Sequence, residues 1–359
     1  MDHTKVLKRA WHILWNYRAL WLFGILLALT TTSPWQTSSY QFSGDETNPL
    51  IQITPSDDFT WDFGEEFGEE FEKNIEELNK LFEEVTPAEI RDTVITIVFL
   101  CFCFILFLVI VGIILRYVSE TALIRMVDDY EESGERRGVR AGFRLGWSRA
   151  ALRLFLIDLV FFIPVFIFLG ALFMLTLAPL LLLGTRVVAL GVIGVIATIG
   201  FFFLWIFLVI VVAVAVGLMK DFSWRVCALR NLGVIESIRH GYAMVRQNIR
   251  DVGVMWLIIA GINIGLAIVV FPIVLFLILI ALLTGGAVGL AVGGLTGLFA
   301  ETATQWIAGG LVGFGVFLLV IMVPMGFIGG LREVYVSSTW TLTYRELKAL
   351  EELELEPAS

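Results

Sequence analysis

The chain has 359 residues, of which 58% are hydrophobic and only 16% are charged. A soluble domain carries roughly half apolar and a quarter charged residues, so this composition excludes an ordinary water-soluble domain and predicts a membrane protein. The formal net charge of −9 conceals a strong segregation of charge along the chain, and that segregation predicts the topology.

Six apolar segments follow one another along the chain. A helix needs roughly 20 apolar residues to cross the hydrocarbon of a bilayer, and all but the first segment reach that length. The first segment can cross if Arg18 extends to the headgroups or if the bilayer thins. No signal-peptide cleavage site follows it, so we expect it to be retained. The predicted spans are 19–33, 93–115, 154–183, 187–219, 252–283 and 304–331.

A short basic segment with an aromatic residue leads into the first, third and fifth spans. Each copy has a basic residue, a spacer, a small residue, an aromatic residue and then a further Arg. Apolar residues recur at helical spacing with Lys and Arg beside them, which predicts amphipathic helices in the headgroup plane. We interpret them as anchors that fix the topology, with recognition of one specific lipid as the alternative. The candidate lipid-interface residues are Arg9, Trp11, Arg18, Arg144, Trp147, Arg153, Arg239, Tyr242 and Arg250.

Residues 34–92 form a long acidic loop on the outer side and hold sixteen of the 34 acidic residues. Apolar residues, mostly Phe, recur at three- or four-residue spacing between Glu pairs, which predicts an amphipathic helix over 64–85. A solvated acidic face is the simplest interpretation of this helix. The alternative is a protein partner that covers the Phe side chains, with Phe63, Phe67 and Phe71 as candidate contacts.

The apolar stretch 284–301 carries Gly at every fourth position, a spacing typical of closely packed membrane helices. A seventh span here would move the C-terminus to the other side of the membrane. We therefore predict a re-entrant or interfacial helix near the outer leaflet, with a gate or pore lining as the alternative.

Two matching sequences predict internal repeats. Tyr117-Val118-Ser119 follows the second span, and Tyr335-Val336-Ser337 follows the sixth. Together with the three basic segments, they predict an all-α polytopic transmembrane helix bundle of six spans over 1–348, with a cytoplasmic tail over 349–359. The three predicted hairpin repeats cover about 1–127, 137–230 and 234–348.

The basic residues predict the orientation. If the N-terminus is cytoplasmic, 21 of the 25 Lys and Arg residues lie inside. Cytoplasmic loops carry an excess of Lys and Arg, so we expect both termini in the cytoplasm of a bacterial cell, with the chain in the inner membrane. Anionic lipids of the cytoplasmic leaflet are then the predicted partners of the basic segments.

No pattern of residues indicates chemistry. The three His lack a second ligand at metal-binding spacing, and no catalytic or phosphate-binding motif occurs. We therefore expect no enzyme activity, no cofactor, no metal and no nucleic-acid partner. Asp158 and Asn263 are the candidate polar residues within the spans. Pairing of Asp158 with Arg149, Arg153 or another basic-segment Arg is favoured over proton coupling.

Two short sequences carry a family resemblance, AGFRLGW at 141–147 and TLTYREL at 341–347. They resemble bacterial six-span membrane domains related to the membrane portion of glycerophosphoryl diester phosphodiesterases. In that family a soluble catalytic barrel follows the membrane part. No such barrel follows the sixth predicted span here, so the resemblance implies no phosphodiesterase activity and transfers no catalytic residue.

These features predict a non-catalytic multi-pass membrane protein. We expect a membrane scaffold or accessory subunit that engages lipid or a protein partner. The alternative is a small transporter or channel built from repeated hairpins, although a solute path normally needs polar residues at depth.

Overall fold

A computed structural model describes residues 1–31, 88–184, 188–298 and 302–355. These ranges form helices joined by short connections and contain no strand, so the all-α class is confirmed. The predicted helix over 64–85 and its Phe63, Phe67 and Phe71 lie outside the described residues. The helices are α1 His3–Asn16, α2 Ala19–Thr31, α3 Ala88–Ser133, α4 Val139–Gly146, α5 Arg149–Leu177, α6 Val188–Arg230, α7 Val234–Gln247, α8 Ile249–Thr296 and α9 Thr302–Leu355.

Five of these helices are long and apolar enough to cross a membrane, which is compatible with a membrane-embedded protein. α1 and α2 meet at a bend of 100° and add a sixth candidate if the pair is taken as one span. The most apolar 18-residue stretch of each of the five is between 0% and 6% buried. Large apolar side chains therefore cover the outside of these helices, as expected where lipid replaces water.

Three helices are much longer than a bilayer requires. α3, α6 and α9 have 46, 43 and 54 residues, whereas roughly 20 residues span the hydrocarbon. Their C-terminal parts hold most of the buried side chains, including Leu123, Phe222 and Tyr344. The principal core therefore lies beyond the most apolar part of each helix. The predicted second, fourth and sixth spans are the N-terminal parts of these longer helices.

The first helix has a defined N-terminus. The carboxylate of Asp2 accepts hydrogen bonds at 3.1 Å from the backbone amides of both Thr4 and Lys5, and one at 2.7 Å from the Thr4 hydroxyl. This is the geometry of an N-cap, which satisfies amides that have no partner within the helix. The bonds from Thr4 and Lys5 hold the pKa of Asp2 below its usual value.

The prediction of a separate re-entrant or interfacial helix over 284–301 is wrong for the described part of that stretch. α8 runs without a break from Ile249 to Thr296, so residues 284–296 are its C-terminal end and form no seventh span. The glycines there lie against α9: a Cβ on Gly309 would lie 2.5 Å from the carbonyl oxygen of Gly289. Such close contact between backbones offsets the low helix propensity of Gly.

The predicted third and fifth spans each contain a proline. Pro164 lies inside α5 and Pro272 lies inside α8, and both helices continue through them. Proline within a helix leaves one carbonyl without its amide partner, which membrane helices tolerate.

Candidate functional site

The three predicted basic segments all form the same local structure. Each is a short helix that ends one or two residues before a span helix begins, and we call these three short helices, α1, α4 and α7, the collar helices. The residue after each collar helix, Tyr17, Trp147 or Asn248, leaves the helical conformation. At the first break the chain turns by 100°, so α1 lies across the direction of α2.

Each collar helix has a buried small residue directly followed by an exposed aromatic residue. In α1 and α7 both residues lie within the helix, where successive side chains point about 100° apart. In α4 the small residue is the last of the helix, and the aromatic residue is the first one after it. The aromatic side chains are exposed by 56%, 68% and 46% in chain order. The pairs are Ala10 and Trp11, Gly146 and Trp147, and Gly241 and Tyr242.

The small residues mark the points where collar helices cross long helices. A Cβ on Gly146 would overlap the carbonyl oxygen of Val118 in α3, and one on Gly241 would lie 2.8 Å from the amide nitrogen of Ser223 in α6. α1 packs on α9, where the ring of Trp11 lies 6.2 Å from the ring of Tyr335. Only a residue with a very small side chain permits such close contact.

The packing follows a cyclic order. α4 lies on α3 and α7 lies on α6, so each of these collar helices contacts the long helix that precedes it in the chain. α1 has no preceding long helix and packs on α9, the last. The contacted residues Val118 and Tyr335 belong to the two matching sequences that predicted a repeat. Those sequences therefore include contact points for collar helices.

The collar helices carry apolar residues on two faces. In α7, Ile235 and Tyr242 are exposed, whereas Ser237, Gly241 and Met244 are buried. The outward face therefore carries the aromatic residue, and the inward face combines small residues with buried apolar ones. An outward apolar face beside charged residues suits the boundary between headgroups and acyl chains.

Most of the candidate lipid-interface arginines are exposed. Arg18, Arg144, Arg239 and Arg250 lie at the surface. Arg9 is exposed as well, and its Nε lies 2.7 Å from Glu131 in α3. The cationic side chains therefore accompany the exposed aromatic residues on all three collar helices.

Arg153 has a different environment from the one expected. It is half-buried and donates hydrogen bonds to the carbonyl oxygens of Asn231 at 2.6 Å and Leu232 at 3.1 Å. Asn231 has a φ of 54°, the left-handed conformation that ends many helices. Arg153 therefore satisfies carbonyls at the end of α6, and it is not a free contact for headgroups.

Arg125 is a residue that the sequence analysis missed. Its guanidinium donates to the carbonyl oxygens of Ala228 at 3.0 Å and Leu145 at 3.0 Å. It also donates to the side chains of Ser148 at 3.1 Å and Asn231 at 2.8 Å. This one side chain joins α3 to the ends of α4 and α6. In the sequence it is one of many arginines between the predicted second and third spans, and no pattern distinguishes it.

Both candidate polar residues of the spans are paired. Asp158 accepts a hydrogen bond of 2.8 Å from the Tyr117 hydroxyl, and one of its oxygens lies 3.7 Å from the Lys220 ammonium. The pairing was expected, but the predicted arginine partners were wrong. Asn263 accepts a 2.9 Å hydrogen bond from Arg332. Each polar group therefore meets a cation from the neighbouring long helix, as buried charged groups in membranes usually do.

A buried polar contact that the sequence did not reveal joins the three long helices. Glu120 of α3 accepts a 3.0 Å hydrogen bond from Ser337 of α9. Arg225 of α6 lies 3.7 Å from Glu120, and the two side chains are 2% and 6% exposed. Arg225 also donates to Asp221 in its own helix. In the part of the chain that the structure describes, no three acidic, His or Cys side chains are grouped as a metal site.

One comparison with known proteins gives a match. A family model described as a family of unknown function (DUF7544) matches residues 14–343. No curated protein and no solved structure matches the chain. The match covers α4 and α7 in full, together with all three breaks after the collar helices. It leaves the resemblance to phosphodiesterase membrane domains untested, so that resemblance stays a prediction.

Proposed function

This chain belongs to a family of unknown function, DUF7544, and from that premise we propose that it is a non-catalytic scaffold of a bacterial inner membrane. Its collar helices hold anionic headgroups of the cytoplasmic leaflet. The observation that carries the proposal is the threefold occurrence of a buried small residue, an exposed aromatic residue and exposed arginines on a short helix. Protein contact on one side and lipid contact on the other explain this combination.

The proposed architecture has six spans in three hairpin repeats, α1 to α3, α4 to α6 and α7 to α9. The same order of short helix, span helix and long helix in each group supports it. The cyclic order of packing supports it as well, because each collar helix occupies an equivalent position on another repeat. Both termini then lie in the cytoplasm, on the side of the basic residues.

The chemistry of the collar helices fits anionic lipid. Trp and Tyr prefer the membrane–water boundary, where an apolar ring and a polar edge are both accommodated. Each Lys or Arg close to an anionic leaflet contributes about 1 kcal/mol. Several arginines at one depth therefore attract phosphatidylglycerol or cardiolipin strongly, and zwitterionic lipid weakly.

The transporter or channel alternative stays a prediction. Its candidate polar residues, Asp158 and Asn263, are each paired with a neighbouring cation. A protein partner at the acidic outer loop also stays a prediction, since that loop lies outside the described residues. Neither alternative is favoured by a specific contact.

The test compares lipid retention by wild-type protein and by the double variant Arg144→Gln/Arg239→Gln. Each protein is extracted in mild detergent and exposed to a mixture of phosphatidylglycerol and phosphatidylcholine. The lipid that stays bound is then measured by native mass spectrometry. Loss of two headgroup contacts of about 1 kcal/mol each lowers relative retention of phosphatidylglycerol by roughly tenfold or more.

The matched control is Arg136→Gln/Lys348→Gln, which removes the same charge outside the collar helices. We expect it to retain phosphatidylglycerol close to the wild-type level. Equal retention by all three proteins would overturn the proposal.

A further inference from the structure

The contact between Glu120, Arg225 and Ser337, which we call the central triad, takes one residue from each long helix. Glu120 accepts from the Ser337 hydroxyl at 3.0 Å. One guanidinium nitrogen of Arg225 lies 3.7 Å from Glu120, and the same nitrogen reaches the Ser337 carbonyl oxygen at 3.5 Å. The triad therefore joins all three helices at one level of the core.

The repeat pattern makes the charges of this triad unusual. When the three long helices are aligned, one position is a buried serine in each of them: Ser119, Ser223 and Ser337. The charged residues do not repeat: Trp224 and Ser338 stand at the position of Glu120. A symmetric set of helices therefore contains one asymmetric polar contact.

Energetics argue against stability alone as the reason for the triad. A buried ion pair is often no more stabilising than apolar residues of the same volume, because both charges lose their hydration. Removal of one partner is costly, since the other charge is left buried and alone. The best-attested use of such a group is to fix how helices align, as a single buried polar residue does in coiled coils.

Other polar contacts between the long helices each join two of them. Arg125 binds α3 to α6, and Arg345 of α9 binds Asp128 of α3. The central triad joins all three. A shift of α9 by one turn moves its residues by about 5.4 Å. The hydrogen bond between Glu120 and Ser337 is then lost, and the buried carboxylate of Glu120 loses this donor.

We infer that the central triad sets the axial register of the three long helices and so brings the collar helices to one depth. The contact points of the collar helices lie close to it in sequence. Val118 is two residues from Glu120, Ser223 is two residues from Arg225, and Tyr335 is two residues from Ser337. A slip of one long helix carries its collar helix with it. The register itself is independent of the proposed function, whereas its use in aligning headgroup contacts rests on that function.

The experiment measures the distance between α3 and α9 by electron paramagnetic resonance. Nitroxide labels are placed at the exposed positions Glu132→Cys and Glu351→Cys, in a background in which Cys101, Cys103 and Cys227 are Ala. The wild-type triad gives one narrow distance. The apolar variant Glu120→Leu/Arg225→Met/Ser337→Ala folds and shows a broadened distribution, or one displaced by about 5 Å.

A second variant tests the charges directly. Glu120→Arg/Arg225→Glu exchanges the two ions, and we expect it to give one narrow distance, as the wild-type protein does. The single variant Glu120→Leu leaves Arg225 without this partner, and we expect it to lower the thermal midpoint of unfolding. An apolar variant with the wild-type distance would overturn the inference. An exchanged variant whose distance distribution is as broad as that of the apolar variant would overturn it as well. An apolar variant that fails to fold would also overturn it, because the triad would then drive folding. Lipid retention plays no part in this measurement, so its outcome is separate from that of the proposed function.

Discussion

Gly146 and Trp147 show how two neighbouring residues serve opposite environments. The absent side chain of Gly146 lets α4 touch the backbone of α3 at Val118. The side chain of Trp147 is 68% exposed and lies where the chain leaves the collar helix. The combination recurs at Gly241 and Tyr242, so the pattern of a small residue before an aromatic one has a structural cause.

Substitution of Gly146 by Ala destabilises the protein. The added methyl group overlaps the Val118 carbonyl oxygen, which is backbone and cannot rotate away. We expect a loss of about 1–3 kcal/mol, typical of overpacking, seen as a lower midpoint of thermal unfolding in detergent. Gly253→Ala is the control: its Cβ meets open space within α8, and Ala there gains about 0.5–1 kcal/mol. A Gly146→Ala protein as stable as the control would contradict this contact.

Sequence patterns predicted part of the site at this scale. The repeated residue types placed Trp11, Trp147 and Tyr242 at the short basic segments, because a basic, small and aromatic order is visible without a structure. They did not show that Arg153 turns inward to the end of α6, since its position matches that of Arg250. Glu120 and Arg225 are far apart in sequence and belong to no periodic pattern, so only the fold reveals their contact.

At the scale of the elements, the pair α8 and α9 is held by glycines. Gly285, Gly289 and Gly293 of α8 face Gly309 and Gly313 of α9. The sequence showed the close-packing spacing of these glycines, but the expected side of the C-terminus led to the prediction of a re-entrant or interfacial helix. Contact with α9 decides the outcome, because backbones that approach this closely gain dispersion energy along their whole length.

Leu at position 309 separates these two helices, whereas Leu at position 310 does not. Gly309 lies against Gly289 and Gly293, but a Cβ on Gly310 meets open space. Both substitutions add the same side chain and change the intrinsic helix propensity equally. We expect Gly309→Leu to lose about 1–3 kcal/mol of unfolding free energy, which is measured as a lower thermal midpoint. We expect no fall in the midpoint for Gly310→Leu. Equal midpoints for the two variants would mean that the helices do not meet at this face.

At the scale of the whole molecule, charge determines the orientation that we propose. The collar helices α4 and α7 expose two arginines each, and transfer of such helices across a bilayer is strongly unfavourable. The helical class was predictable from composition alone. The cyclic order of packing was not, because contacts between repeats leave no local pattern.

Cysteine labelling tests this orientation. In a background without the three native cysteines, an impermeant maleimide applied to intact spheroplasts is expected to modify Gly184→Cys, an exposed position directly after the predicted third span. We expect no modification of His240→Cys, an exposed position in α7, until the membrane is opened. The reverse result would place the arginine-rich helices outside and exclude the proposed orientation.

The packing of α1 on α9 ties the beginning of the chain to its end during synthesis. Roughly 300 residues lie between α1 and its contact at Tyr335, and a ribosome needs about 15–60 s to add them. During that time α1 can contact α2 and α3, but its side that faces α9, with Trp11, has no partner surface. The nascent N-terminal helix completes its packing when translation of the final helix supplies that surface.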